Sequence, residues 1–131
     1  MKLQLKDWKV KNLSLKANEN SKKRKESFNL SMGNFYPEDN NKAFGVGLFI
    51  ELKDNEFSLK VEMVFLFELD SIIDDEFKNS DFPKINAPAI AFPYVRSFIS
   101  NITLQSGFAP VILPSINFVE FVKRDRSNNY N

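Results

Sequence analysis

The chain contains no cysteine and no histidine. A cysteine nucleophile, a Ser-His-Asp triad and the usual zinc sites all need residues that are not there. No disulfide can form, so nothing points to an oxidising compartment. Net charge is almost absent too: 18 Lys and Arg stand against 17 Asp and Glu, giving +1. Such a balance makes no field to draw nucleic acid or an anionic membrane. Apolar runs are broken by proline or polar residues before they reach the roughly 18–20 residues of a membrane helix. The opening MKLQLKDWKVKNLSLK alternates apolar with polar residues, unlike a secretory signal. The expectation is a cytoplasmic protein that is not an enzyme, with no cofactor, no metal, no nucleic-acid partner and no membrane insertion.

Phenylalanine, in contrast, is abundant, with 14 among 131 residues. Aromatic rings carry large apolar area, and an excess over the needs of the core collects at contact surfaces. The length suits one domain, expected over residues 1–126, with 127–131 as a loose tail.

The first half has strand periodicity. Leu3, Leu5, Trp8, Val10, Leu13 and Leu15 alternate with polar residues, with slips of one residue that predict a bulged strand. NENSKKRKES, residues 18–27, is a loop, and Phe28, Leu30 and Met32 resume the alternation. Phe44, Val46, Leu48, Ile50 and Leu52 share one face of a third strand. After Lys53-Asp54-Asn55-Glu56, the residues Phe57, Leu59, Val61, Met63, Phe65, Phe67 and Leu69 share one face of a fourth. One sheet face is continuously apolar and must be covered, as in an antiparallel sheet with one buried side.

The chain then changes character. DSIIDDEFKNSDF, residues 70–82, is polar and acidic. From Pro88, Ile90, Val95, Ile99 and Ile102 recur at helical spacing beside Phe92, Phe98 and Leu104. Pro88 suits a first turn, whereas Pro93 removes an interior hydrogen bond. Ser106-Gly107 ends the helix. Pro110 and Pro114 keep the following arm extended, and Asn117 is placed to cap a short last helix, NFVEFVKR. The expected fold is α+β: a four-stranded antiparallel sheet followed by one long helix and one short C-terminal helix. Between Ile85 and Phe118, Arg96 is the only charged side chain.

Within that uncharged stretch, P-A-I-A-F-P-Y-V-R, then Gly107-Phe108, then L-P-S-I-N-F resembles the signature of the SecB family of bacterial protein-export chaperones. Lys11-Asn12-Leu13-Ser14-Leu15-Lys16-Ala17 is similar to that family's first-strand segment. The resemblance implies a homotetramer, a dimer of dimers with long helices sandwiched between sheets. It also implies an ATP-independent holdase that keeps unfolded or precursor polypeptides in apolar grooves and passes them to the SecA motor. By the family's pattern the groove would draw on Phe28, Leu30, Met32, Phe65, Phe67, Phe108, Phe118 and Phe121. The oligomer-interface helix would offer Phe92, Tyr94, Val95, Phe98, Ile99 and Ile102. For each phenylalanine taken singly, ordinary core packing is the competing reading.

The chain also departs from the family. Three positions that are acidic in export-type members, and that dock onto SecA, fall on Asn12, Lys16 and Lys60, so one is neutral and two are basic. Reversed charge at a complementary interface repels, which argues against SecA as partner. The family's acidic C-terminal tail has no counterpart in KRDRSNNYN. The alternative within the fold is a dedicated chaperone for one partner, such as a toxin–antitoxin system, independent of SecA. A small-ligand-binding or enzymatic domain is disfavoured by the missing histidine and cysteine. Lys22-Lys23-Arg24-Lys25 is best taken as a solvated loop rather than a nucleic-acid patch. The acidic run Asp70, Asp74, Asp75, Glu76 and Asp81 lacks the spacing of a calcium loop, so a solvated connection is favoured.

Overall fold

The computed structural model describes residues 2–19 and 24–129, and Lys22 and Lys23 of the basic run lie outside them. Four strands come first: β1 (Leu3–Ala17), β2 (Ser27–Phe35), β3 (Ala43–Lys53) and β4 (Phe57–Leu69). They form one antiparallel sheet in the order β1-β4-β3-β2. A short helix α1 (Asp75–Lys78), a π-helical turn over Phe82–Asn86, the long helix α2 (Ala87–Gln105) and the terminal helix α3 (Phe118–Asn129) follow.

The slips in the first strand are real bulges. The β1–β4 register shifts between Leu5 and Asp7 and again between Val10 and Asn12. Each extra residue resets the pleat. As a result Leu3, Leu5, Trp8, Val10, Leu13 and Leu15 all pair with apolar residues of β4, from Leu69 down to Leu59, on one face. Phe44, Val46, Leu48 and Ile50 continue that face across β3 and are fully buried.

Helix α2 covers this face. Ala87, Ala91, Val95, Ile99 and Thr103, four apart, are all sealed from solvent. Pro88 stands in the first turn, and Pro93 sits inside the helix, which runs on through it. Gly107, at φ 94°, supplies the left-handed residue that stops α2. The polar stretch before α2 holds more structure than its composition suggests. Asp74 accepts the Phe77 N–H at 2.8 Å, capping α1. Phe77 is thereby turned into the core against Phe44, with ring centroids 5.2 Å apart.

Asn117 caps α3 as expected, its Oδ1 accepting the N–H groups of Val119 at 3.1 Å and Glu120 at 3.3 Å. The helix then continues past Arg124 to Asn129, beyond residue 126, the expected end of the domain. No glycine or proline interrupts the sequence after Arg124. Residues 130 and 131 lie outside the described chain.

A candidate polypeptide-binding groove and the exposed sheet surfaces

The two edges of the sheet are treated differently. β1 carries four lysines and two bulges, both of which discourage another strand from pairing. β2, SFNLSMGNF, has no charged residue, and its register with β3 runs without a shift. Its other side has no strand partner among the described residues, so a row of backbone donors and acceptors is open to an extended chain.

Beside that edge runs the arm, residues 106–117, which is tied to α2. The Phe108 N–H donates to the Thr103 carbonyl at 3.1 Å, and the Val111 N–H donates to Thr103 Oγ1 at 3.0 Å. Arg96 Nε donates to the Leu113 carbonyl at 3.1 Å. Phe108 packs on Phe57 with ring centroids 4.8 Å apart. Between arm, α3 and β2 lies a depression of about 430 Å³ lined by Phe28, Asn29, Leu30, Pro114, Ile116, Phe121 and Arg124. A second, of about 310 Å³, shares Phe28 and extends towards Val111 and Leu52. Together they make a furrow along β2 in which apolar side chains alternate with polar ones, Asn29 and Arg124 in the first part and Glu26, Lys53 and Asp54 in the second.

The expected groove residues divide. Phe28, Leu30 and Phe121 line the furrow. Met32 is half-buried on the core face opposite Leu48, and Phe108 is half-buried against Phe57. Phe65 and Phe67 are fully buried in the subunit's own core, so they do not wall a groove here. Their alternate positions on β4, a central strand, turn them under α2. Phe118 is also buried, edge-on between Phe92 and Phe121 at 5.8 and 5.9 Å. It supports Phe121 rather than meeting a ligand. Ile116 and Pro114 were not anticipated as lining residues; the signal for them is their place on a proline-held arm opposite an open edge.

The expected interface residues divide as well. Phe92, Val95 and Ile99 are buried in the chain's own core, and Phe98 and Ile102 are half-buried. Tyr94 is exposed. With Ile90 and Leu104 it lies on a flank of the helix beside the buried stripe, at offsets of four and ten residues. That flank continues onto the core side of β1. Tyr94 packs on Trp8 with ring centroids 4.7 Å apart. Trp8, Val10 and Leu13 are 45, 38 and 42% exposed, although they pair with buried residues of β4. Helix α2 is too narrow to cover β1, so this apolar strip stands open.

Asn12, Lys16 and Lys60 come together on the opposite, outer face of the sheet, facing Glu62, Ser58 and Ser14 across β1 and β4. Lys60 is engaged with Glu51 at 3.5 Å. Arg24, from the basic run, is spent locally: its Nε donates to the Asp54 carbonyl at 2.7 Å. Asp70 is held below its usual carboxylate range, chiefly by the Lys2 N–H that donates to it at 3.1 Å, which ties the start of β1 to the end of β4. Burial raises the Tyr36 hydroxyl above its usual range. No group of three or more metal-ligating side chains is gathered among the described residues, and no helix there is long and apolar enough to cross a membrane.

An antiparallel sheet carrying one long helix, a tied arm and a capped terminal helix is the architecture of the SecB-like chaperones. The family model described as preprotein translocase subunit SecB matches residues 1–129, and the chain belongs to that family. Its fold is similar to that of the Mycobacterium tuberculosis SecB-like chaperone in complex with a ChAD peptide from the HigA1 antitoxin. The TM-score is 0.69, with 16% identity over 87% of each chain. A Streptococcus agalactiae protein of unknown function is similar at a TM-score of 0.53, with 15% identity over 87% of this chain and 98% of that one. Among curated relatives, an uncharacterised protein of Methanocaldococcus jannaschii is 48% identical over 60 residues, covering 45% of this chain and 37% of that protein. The protein-export protein SecB of Orientia tsutsugamushi (strain Boryong) is 32% identical over 73 residues, covering 56% and 44%. The matches thus span less than half the length of these curated relatives. Family and fold are those of chaperones rather than enzymes.

Proposed function

We propose that this protein is an ATP-independent holdase of the SecB kind, which keeps unfolded or precursor polypeptides in the furrow beside β2. The observation that carries this reading is the pairing of an uncharged, unbulged strand edge with an apolar wall of Phe28, Leu30, Ile116 and Phe121. An unfolded chain offers backbone hydrogen bonds at every residue and apolar side chains at intervals. Edge pairing meets the first without regard to sequence, and an apolar furrow meets the second. The subunits assemble as a homotetramer built from two dimers, through exposed apolar residues of β1 and α2: Trp8, Val10, Leu13, Ile90, Tyr94 and Leu104, of which Trp8 and Tyr94 touch. The test is to measure the mass in solution and then the suppression of aggregation of an unrelated denatured protein. An oligomer that suppresses aggregation, and loses this in Leu30→Glu and Phe121→Glu, is the expected result. A monomer without holdase activity refutes the proposal.

A second reading is a chaperone dedicated to one partner and independent of SecA. Two observations favour it: Asn12, Lys16 and Lys60 leave the outer face without acids at those positions, and the similar M. tuberculosis chaperone was solved with an antitoxin peptide. Activity towards a single co-encoded protein, with none towards unrelated clients, selects this reading.

A further inference from the structure

The furrow beside β2 has three walls, and two of them carry no charge. Strand β2 has no ionisable side chain, and neither has the arm over residues 106–117. The charge of the lobe between arm, α3 and β2 is therefore set by α3 alone. Arg124 is the only ionisable residue lining that lobe, beside Phe28, Leu30, Ile116 and Phe121. It follows Phe121 by three residues, so both project from one side of the helix. Its side chain is exposed and has no ion-pair partner among the described residues. Glu120, four residues before it, is engaged by Lys123 at 3.9 Å.

The other lobe differs. Glu26, Lys53 and Asp54 line it, so both signs are present. Its carboxylates are already in use within the chain: Glu26 Oε1 accepts from Asn55 Nδ2 at 3.5 Å, and Asp54 Oδ2 accepts the Glu56 N–H at 3.0 Å. Arg96 lines neither lobe and holds the Leu113 carbonyl. The furrow thus has an unopposed cation at its α3 end and mixed charge at the other. A guanidinium beside apolar walls attracts a carboxylate more than it would in open water, because the surrounding dielectric is lower.

We infer that Arg124 is a specificity-determining residue of the furrow. It selects polypeptide segments that carry Asp or Glu beside the apolar side chain seated against Phe28, Leu30, Ile116 and Phe121, and it disfavours segments with Lys or Arg there. The inference rests on the reading of the furrow as the client site and adds a sign to it. Backbone pairing along β2 admits any extended segment. Arg124 biases which of them stay, by repelling one sign as well as by attracting the other.

The test uses the full chain and three fluorescein-labelled peptides that alternate leucine with serine. They differ only in the residue beside the central leucine: glutamate, glutamine or lysine. Anisotropy titrations are expected to show the glutamate peptide binding about two- to fivefold more tightly than the lysine peptide, with the ratio narrowing as salt screens Arg124. Arg124→Glu is expected to invert the order, Arg124→Gln to level it and Arg124→Lys to keep it. The order is read within each variant, so a general loss of affinity does not imitate it. If Arg124→Glu binds no peptide, the levelling in Arg124→Gln decides the matter. Equal binding of the three peptides by the wild type overturns the inference, and so does a glutamate preference that survives Arg124→Glu. A preference lost in Lys53→Gln, with Arg124 in place, puts the selection in the other lobe and overturns it as well. If none of the peptides binds the wild type, the holdase reading falls and this inference falls with it.

Discussion

The Thr103 hydroxyl accepts the Val111 N–H at 3.0 Å while donating to the Ile99 carbonyl at 2.8 Å. This oxygen, fully buried on α2, is one of three ties that hold the arm forming one wall of the furrow, beside the Phe108 N–H and Arg96 Nε hydrogen bonds. Thr103→Val keeps the shape but strands a partly buried N–H. It is expected to cost about 1–3 kcal/mol and to speed hydrogen exchange at the Val111 amide, whereas Thr103→Ser restores both. Urea unfolding and amide exchange provide the measurements. Unchanged exchange at Val111 would show that the arm is held by other contacts.

Core and furrow aromatics should separate cleanly. Phe65→Ala removes a fully buried ring and is expected to lose about 3–5 kcal/mol of stability. Phe121→Ala, from a half-buried position lining the furrow, should cost much less stability and lower the affinity for an unfolded client. Thermal melts paired with a client-binding titration distinguish the two effects. Similar client affinity in wild type and Phe121→Ala counts against this wall.

The exposed strip on β1 and α2 predicts the assembly. Tyr94 packs on Trp8 there and both remain open. Tyr94→Glu or Leu13→Glu places a carboxylate in a surface that must dry on association. Light scattering should record a smaller particle, with the melting temperature falling alongside it. An unchanged mass in both variants rules the strip out as the contact.

Gly45 and Gly33 should respond in opposite directions to the same change. At Gly45 a new methyl meets the Phe35 ring, and overpacking there is expected to cost about 1–3 kcal/mol. At Gly33 a methyl finds open space, and alanine is expected to gain about 0.5–1 kcal/mol. Equilibrium unfolding of the two variants side by side decides it.

Lys16 and Lys60 lie on the outer face of adjacent strands. If their charge is what keeps SecA away, Lys16→Glu with Lys60→Glu should strengthen binding to the host's SecA several-fold. The wild-type chain should bind weakly or not at all, and tight wild-type binding in a direct titration would refute the repulsion. Lys60→Glu also brings a second carboxylate towards Glu51, its partner at 3.5 Å, so stability should be measured in parallel.

Much of this was legible in the residues. Strict alternation forces side chains onto alternate faces, so the slips after Leu5 and Val10 already required bulges in β1. Pro88, Ser106-Gly107 and Asn117 bounded the helices because their backbone and side-chain chemistry suits ends. Phe92 to Arg96, with the arm, was enough to place the chain beside the SecB family. The sequence alone determined which residues are apolar together. What it could not determine is what each apolar face meets, because that depends on strand order and on the width of one helix. Only the tertiary structure put β2 at an open edge beside the arm, which makes Phe121 a furrow wall, and put β4 under α2, which buries Phe65 and Phe67. The same geometry leaves Trp8, Val10 and Leu13 uncovered. It also sets Gly33 beside Gly47, residues 14 apart in the chain, as register partners on β2 and β3.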